Sequence, residues 1–291
     1  MNRDLLVLGG AGVDTTVYVP GLPLPYRDTY HVPPVVDRIG NTGAGVALGC
    51  HALGLTVAFA DLIGDDPQGA LVRRALGALE CRWGRAEAGT RRSVLLVGPD
   101  GRRTSLHDAK VTPGERLPRE LYADVRPRHV HVSIMDFCRH ALGDFDGVPI
   151  STDLHDWDGA SDHHKDFAYR ADLVFLSEAA LPDPAAAMRD LIARGRARTV
   201  VCTRGARGCL VLTRDGGVRA FPAEPLPGPV ADSNGAGDAF VSGFLYGTVR
   251  GRPLEECVRL GAIAGAHACT VAGTHESPIR EPLLLARAAA R

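Results

Sequence analysis

The run Asp232-Ser233-Asn234-Gly235-Ala236-Gly237-Asp238-Ala239-Phe240 combines residue types suited to handling phosphate, and a helix-compatible stretch follows it. Gly235, Ala236 and Gly237 at a helix start bare three or four backbone N–H groups with almost no side chain in the way. Such donors, added to the positive end of the helix dipole, make a site for a phosphoryl group. Asp238 falls in the first turn, where negative charge is favoured and where a carboxylate can take the proton from an attacking hydroxyl. The only lysines are Lys110 and Lys165, and neither lies in a glycine-rich loop, so no Walker-type lysine is available. Backbone donors and a magnesium ion must then neutralise the phosphates. The bland alternative is a glycine-rich turn whose aspartate merely stabilises a helix start.

The elements that must position this segment follow from periodicity. Leu5 to Leu8 is a short apolar run ending at Gly9-Gly10, which predicts a buried parallel strand. The proline-rich stretch from Val17 to Arg38 has no helical period, and Tyr18-Val19 and Tyr30-His31-Val32 are expected as short edge strands of a small lid. A helix over Gly43 to Gly54, a strand over Thr56 to Ala60 and a helix over Pro67 to Leu79 come next. Arg92 to Val97 and Thr104 to His107 predict a hairpin around Asp100-Gly101. Further strands are expected at His129 to Ser133, Val148 to Thr152, Leu173 to Leu176, Thr199 to Cys202 and Cys209 to Thr213. Helices are expected at Pro184 to Arg194, Gly235 to Val249 and Leu254 to Cys269. This rhythm predicts an α/β fold: a three-layer α/β/α sandwich whose mainly parallel central sheet is covered on both faces. The expectation is one domain over residues 1–291, with a lid formed mainly by residues 15–40 and added to by the 92–107 hairpin.

Composition narrows the function. The chain is 45% hydrophobic and 23% charged with a formal net charge of -1, so no global field would hold nucleic acid or an anionic membrane. Seven scattered cysteines, never in a CxxC pair, predict reduced thiols in a reducing compartment. Met1 to Gly9 runs into a strand with no charged-then-apolar leader, and no stretch approaches the roughly 18 apolar residues of a membrane span. A soluble, cytoplasmic protein is expected.

The Asp232–Asp238 segment resembles the DTxGAGD signature of the ribokinase-like (PfkB) carbohydrate and nucleoside kinases, with Ser233 in place of Thr. The resemblance continues over most of the chain in the family's order. Gly9 to Asp14 resembles the strand-end substrate motif, and Gly40-Asn41-Thr42-Gly43-Ala44 the di-glycine substrate loop. Gly64 to Gly69 resembles the GxDxxG stretch, Thr203 to Gly208 the TxGxxG nucleotide loop, and Gly273 falls on the loop beside the purine. The resemblance implies an ATP- and magnesium-dependent kinase acting on a small-molecule alcohol. Asp238 would be the base and Gly235, Ala236 and Gly237 the anion hole. Asp14, Gly40, Asn41, Thr42 and Gly43 would bind substrate, while Ser177, Thr203, Gly205, Gly208, Asp232 and Gly273 would bind nucleotide. The family's NxxE motif falls on Ser177-Glu178-Ala179-Ala180, where Glu178 can serve the metal from a shifted position.

Two departures bear on the acceptor. Gly12 and Gly45 stand where the family's motifs carry asparagines, which removes two hydroxyl readers and argues against plain ribose. A sugar or sugar derivative is the leading acceptor. A nucleoside is the alternative, because Gly12 and Gly45 would leave room for a bulkier group. A catalytically weak ligand sensor on the same fold is the third reading, motivated by the altered NxxE. Elsewhere, Asp136 lies just past a strand's carboxyl end and is a further substrate-contact candidate. Asp153 to Trp157 either lines the same crevice or makes a plain loop. Gly10-Ala11-Gly12 lacks the third glycine of a dinucleotide fingerprint, and the histidines of the middle third show no HExxH spacing. An edge-stranded lid suits a homodimer.

Overall fold

Alternation along single strands decides the layering. The computed structural model describes residues 1–100 and 102–290. In β1 (Asn2–Leu8), Leu5 and Val7 join one apolar core while Leu6 and Leu8 join a second. A strand that is apolar on both faces belongs in the middle of a sheet covered twice. The chain then leaves the sheet for β2 (Gly12–Tyr18) and β3 (Val36–Gly40), and returns through α1 (Thr42–Ala52), β4 (Val57–Ile63), α2 (Pro67–Ala75) and β5 (Glu80–Arg85). A second excursion makes β6 (Arg92–Val97) and β7 (Arg103–Asp108). After these come β8 (Arg126–Val132), β9 (Ile150–Asp153), α3 (Asp162–Arg170), β10 (Leu173–Ser177), α4 (Pro184–Arg194) and β11 (Thr199–Thr203). The chain ends with β12 (Cys209–Thr213), β13 (Val218–Phe221), α5 (Ala236–Val249), α6 (Leu254–Ala268) and α7 (Glu281–Ala289).

Nine strands form one sheet in the order β13-β12-β11-β10-β9-β8-β1-β4-β5. Neighbours from β11 to β5 are parallel, and β12 runs antiparallel to both of its neighbours. Helices α1, α2, α5, α6 and α7 cover one face and α3 and α4 the other. The fold is therefore the expected α/β/α sandwich with a mainly parallel sheet. The two excursions pair with each other as a second sheet, β3-β2-β6-β7, in which β2 and β6 are parallel and the outer pairs antiparallel. This small sheet is built from the two segments expected to form the lid.

Helix α1 (TGAGVALGCHA) is built from small residues because it is buried nearly all round and packs closely on α5; a Cβ at Gly49 would run into the Ser242 side chain. Differences from the sequence expectations are local. Tyr30 to Val32 is not a strand, since the lid's second strand forms later, at β3. Strand β2 begins at Gly12, ahead of the expected lid boundary. Helix α2 stops at Ala75 and leaves room for β5. The hairpin forms as β6 and β7, while Gly101 of its expected turn lies outside the described residues. No helix among the described residues is long and apolar enough to cross a membrane.

Candidate active site

The parallel strands end at one edge of the large sheet, and polar residues gather there. Gly9 and Gly10 follow β1, Asp153 ends β9, Ser177 ends β10 and Thr203 ends β11. Helix α5 brings its first turn to the same edge, for Asp238 lies near enough to Asp153 to feel its charge. Gly235 is the N-cap of α5 in the left-handed region, φ +77°, a conformation that glycine adopts at little steric cost. The N–H groups of Gly237 and Asp238 lie in the first turn, with no intrahelical carbonyl to accept them. Beside Gly237 the space is open: no described atom lies within 4 Å of where a Cβ would sit. The sequence-predicted cradle thus borders open space.

Asp238 is 8% exposed. Burial, then the nearby Asp153 and Asp14 carboxylates, push its carboxyl well above the usual range, and Arg103 on β7 opposes them. His275 Nε2 stands 3.7 Å from Asp238 Oδ2, beyond hydrogen-bond length. Burial pushes the His275 imidazole down to about 4, so at neutral pH it faces Asp238 uncharged. Nothing in the motifs pointed to His275; the one trace in the sequence is the missing side chain at Gly45. A Cβ there would approach His275 Nδ1 to 2.7 Å and Asp238 Cβ to 2.9 Å.

That contact corrects the expectation of spare room. The space over Gly45 is filled by His275, and the space over Gly12 by the Asn41 amide and the Arg91 carbonyl, 2.8 Å from a built Cβ. Neither glycine opens the site to a bulkier acceptor.

The substrate motifs converge. Gly12 pairs with Gly40 and Asp14 with Arg38 across β2 and β3. The Asp14 carboxyl lies over Gly40, where any Cβ would strike it, and Asp14 itself is 8% exposed. Burial raises its pKa against the opposing effects of a Ser93 hydrogen bond and Arg103. Asn41 caps α1 at φ +67°, and its Nδ2 is a buried donor without a partner. Thr42 and Gly43 follow in the first turn, where the Ala44 N–H donates to the Gly10 carbonyl at 2.8 Å. Asp136 is not brought into this group. It is exposed and bonds Arg139 at 2.5 Å and His163 at 3.2 Å, on the side of the sheet covered by α3. Asp66 of the GxDxxG stretch accepts from the Gly69 N–H at 2.7 Å, capping α2, and from the Thr90 N–H at 2.8 Å, so it ties β4 to the root of β6.

On the nucleotide side, Ser177 Oγ accepts from the Ala179 N–H at 3.2 Å and Thr203 Oγ1 donates to the Leu176 carbonyl at 3.3 Å. Gly205 borders open space, whereas Gly208 is pressed on the Phe221 carbonyl. Gly273 lies against Glu276, with Arg38 Nε 3.5 Å from its Cβ position. Asp232 Oδ1 accepts from the Asn234 N–H at 2.8 Å. Glu178 ion-pairs with Arg207 of the Thr203–Gly208 loop. Among the described residues no three His, Cys, Asp or Glu side chains are grouped to hold a metal ion.

Known proteins share the sequence and the fold of this chain. The profile of the pfkB family carbohydrate kinases matches residues 155–281. The chain is 52% identical to the acarbose 7(IV)-phosphotransferase of Actinoplanes sp., over 99% of each chain. It is 46% identical to the solved structure of a microbiome-derived acarbose kinase, with a TM-score of 0.92 over 100% of both chains. The fold is also that of an Arabidopsis thaliana ribokinase solved with ribose and ATP, at TM-score 0.82 and 21% identity over 100% of both chains. The chain therefore belongs to the PfkB family of carbohydrate kinases and is a phosphotransferase with an alcohol group as acceptor.

Proposed function

We propose that the protein moves the γ-phosphoryl group of ATP onto a hydroxyl of a sugar or sugar derivative, with Asp238 as general base. The observation that carries this is the placing of Asp238: a buried carboxylate in the first turn of α5, one residue after a glycine that faces open space. The acceptor hydroxyl sits between Asp238 and the phosphate and gives Asp238 its proton as the new P–O bond forms, while the bond from the γ-phosphorus to the β,γ-bridging oxygen breaks and ADP leaves. The Gly235–Gly237 backbone donates to the oxygens on which charge gathers, the Gly237 N–H being free to do so and the Ala236 N–H having to give up its 3.3 Å bond to the Ser233 carbonyl. Asp14 and the unpartnered Asn41 amide accept and donate to neighbouring hydroxyls, which fixes the acceptor in line. The similarity to acarbose kinases supports a carbohydrate acceptor.

Ser177, Thr203, Gly205, Gly208, Asp232 and Gly273 form the nucleotide side, with Gly205 leaving the ground open for the ligand. A magnesium ion supplies further charge neutralisation at the phosphates. Magnesium keeps phosphate and water oxygens as most of its ligands, which suits a site without a protein cage; for Glu178 to join, it must exchange Arg207 for the ion. The seven unpaired cysteines support a cytoplasmic setting. Pairing of two copies through the free edges of the lid, β3 and β7, completes the proposal.

Replacing Asp238 with Asn tests the mechanism. Turnover with ATP, magnesium and a sugar acceptor should fall ~10²-fold or more, while the thermal midpoint stays at or above that of the parent. Unchanged turnover would refute Asp238 as the base.

A further inference from the structure

Beyond Asp14, the lid carries a polar row that the reaction itself does not use. Asp14 on β2 pairs in register with Ser93 on β6, and Ser93 with His107 on β7. Register partners on neighbouring strands project from one face, so the three side chains form a line across the face that Asp14 turns toward Asp238. Arg103 and Ser105 share that face by the two-residue period of β7. Opposite the end of the row stands the loop after β9, where His155 is close enough to His107 to disfavour its protonated form. From Asp14 the row therefore extends over two strand spacings, roughly 10 Å, more than one sugar ring spans.

Ionisation of Asp14 sets the direction of the hydrogen bonds along the row. Ser93 bonds the Asp14 carboxylate, and Ser93 Oγ lies 3.0 Å from His107 Nδ1. A hydroxyl has one proton. Given to ionised Asp14, it leaves Ser93 only lone pairs for His107, so Nδ1 carries the imidazole proton and Nε2 remains an acceptor. Partial burial and the Arg91 charge keep the ring neutral.

We propose that Ser93 and His107 form a second acceptor subsite, in which His107 Nε2 accepts from a hydroxyl of the sugar ring next to the one phosphorylated. The acceptor class is then a saccharide of at least two rings. This rests on the kinase reading above and adds residues to it that do not touch the reacting atoms.

The test measures binding by calorimetry without ATP, and kcat/KM with it, for glucose, maltose and maltotriose. In the parent, affinity and kcat/KM should rise about 5- to 10-fold on adding a ring, the worth of one hydrogen bond. His107→Ala should erase that rise and leave glucose unchanged. Ser93→Ala, which frees the tautomer, should remove part of it, and His107→Gln, which keeps an acceptor, should restore part. No rise in the parent, or an equal loss for all three sugars in His107→Ala, would overturn the subsite. Ring-dependent binding that falls in His107→Ala, without phosphoryl transfer by the parent, would refute the kinase mechanism and leave the subsite standing.

Discussion

Asp238 is held in an environment that opposes its own charge. Two carboxylates and burial raise its pKa, while Arg103 provides the opposing field. A base of that kind stays poised, because the proton it accepts is retained more readily than by an exposed aspartate. His275 fills the neighbouring space only because residue 45 has no side chain. Gly45→Ala should therefore displace His275 or Asp238, lowering kcat about tenfold and stability by ~1–3 kcal/mol, the usual cost of overpacking. Parallel kinetics and thermal melts check this; full activity would show that the packing around Asp238 is slack. The helix start that carries Gly235 to Asp238 was legible in the sequence because helix-start signals are local. His275 was not, since its role arises from a contact between distant segments and no spacing rule reports it. Asp136 does follow a strand end, and it pairs there with Arg139 and faces His163 on the side of the sheet covered by α3.

Among the elements, the roots of the lid are pinned by buried charge. Arg91, immediately before β6, donates to the Asp61 carboxylate at 2.6 Å, to the Ala11 carbonyl at 2.8 Å and to the Leu62 carbonyl at 3.1 Å. Asp61, in β4, also accepts from the Ala11 N–H at 2.8 Å, immediately before β2. Both side chains are 3% exposed or less. One pair thus fixes the points where both excursions leave the large sheet, and with them the position of Asp14. Arg91→Met should cost ~3–5 kcal/mol by stranding a buried carboxylate, whereas Asp61→Leu with Arg91→Met should cost much less. Urea denaturation of the two variants decides it, and equal losses would contradict the pinning. The apolar strands at the centre of the sheet were legible because both faces are buried. The polar edge strand β5 (ECRWGR) and the polar helix α3 (DHHKDFAYR) were not, because neither shows the apolar period of its type. The early start of β2 was hidden by Gly12, which reads as loop until Gly40 pairs with it.

For the molecule as a whole, three buried histidines set an acid limit on stability. Burial pushes His129 and His275 down to about 4 and His131 to about 3, from an ordinary value of 6.5. The unfolded chain binds protons at these sites at higher pH than the folded chain does. Their contribution is fully present above pH 6.5 and is lost as pH falls toward 4, at about 1.4 kcal/mol per pH unit for each histidine. Denaturant melts across that range should show the slope, and His129→Gln should reduce it; a flat profile from pH 6.5 to 4 would contradict the burial of these rings as neutral groups.

The same molecule brings together, at one sheet edge, the glycine-rich start of α5 and a carboxylate with a raised pKa. The most direct test is the pH dependence of kcat/KM, measured where the fold is intact. An acid limb of one-proton slope, centred above the ordinary aspartate value of 3.8, is expected in the parent and should be absent from the residual activity of Asp238→Asn. A limb that persists unchanged in the variant would contradict the assignment of Asp238 as the group that takes the proton.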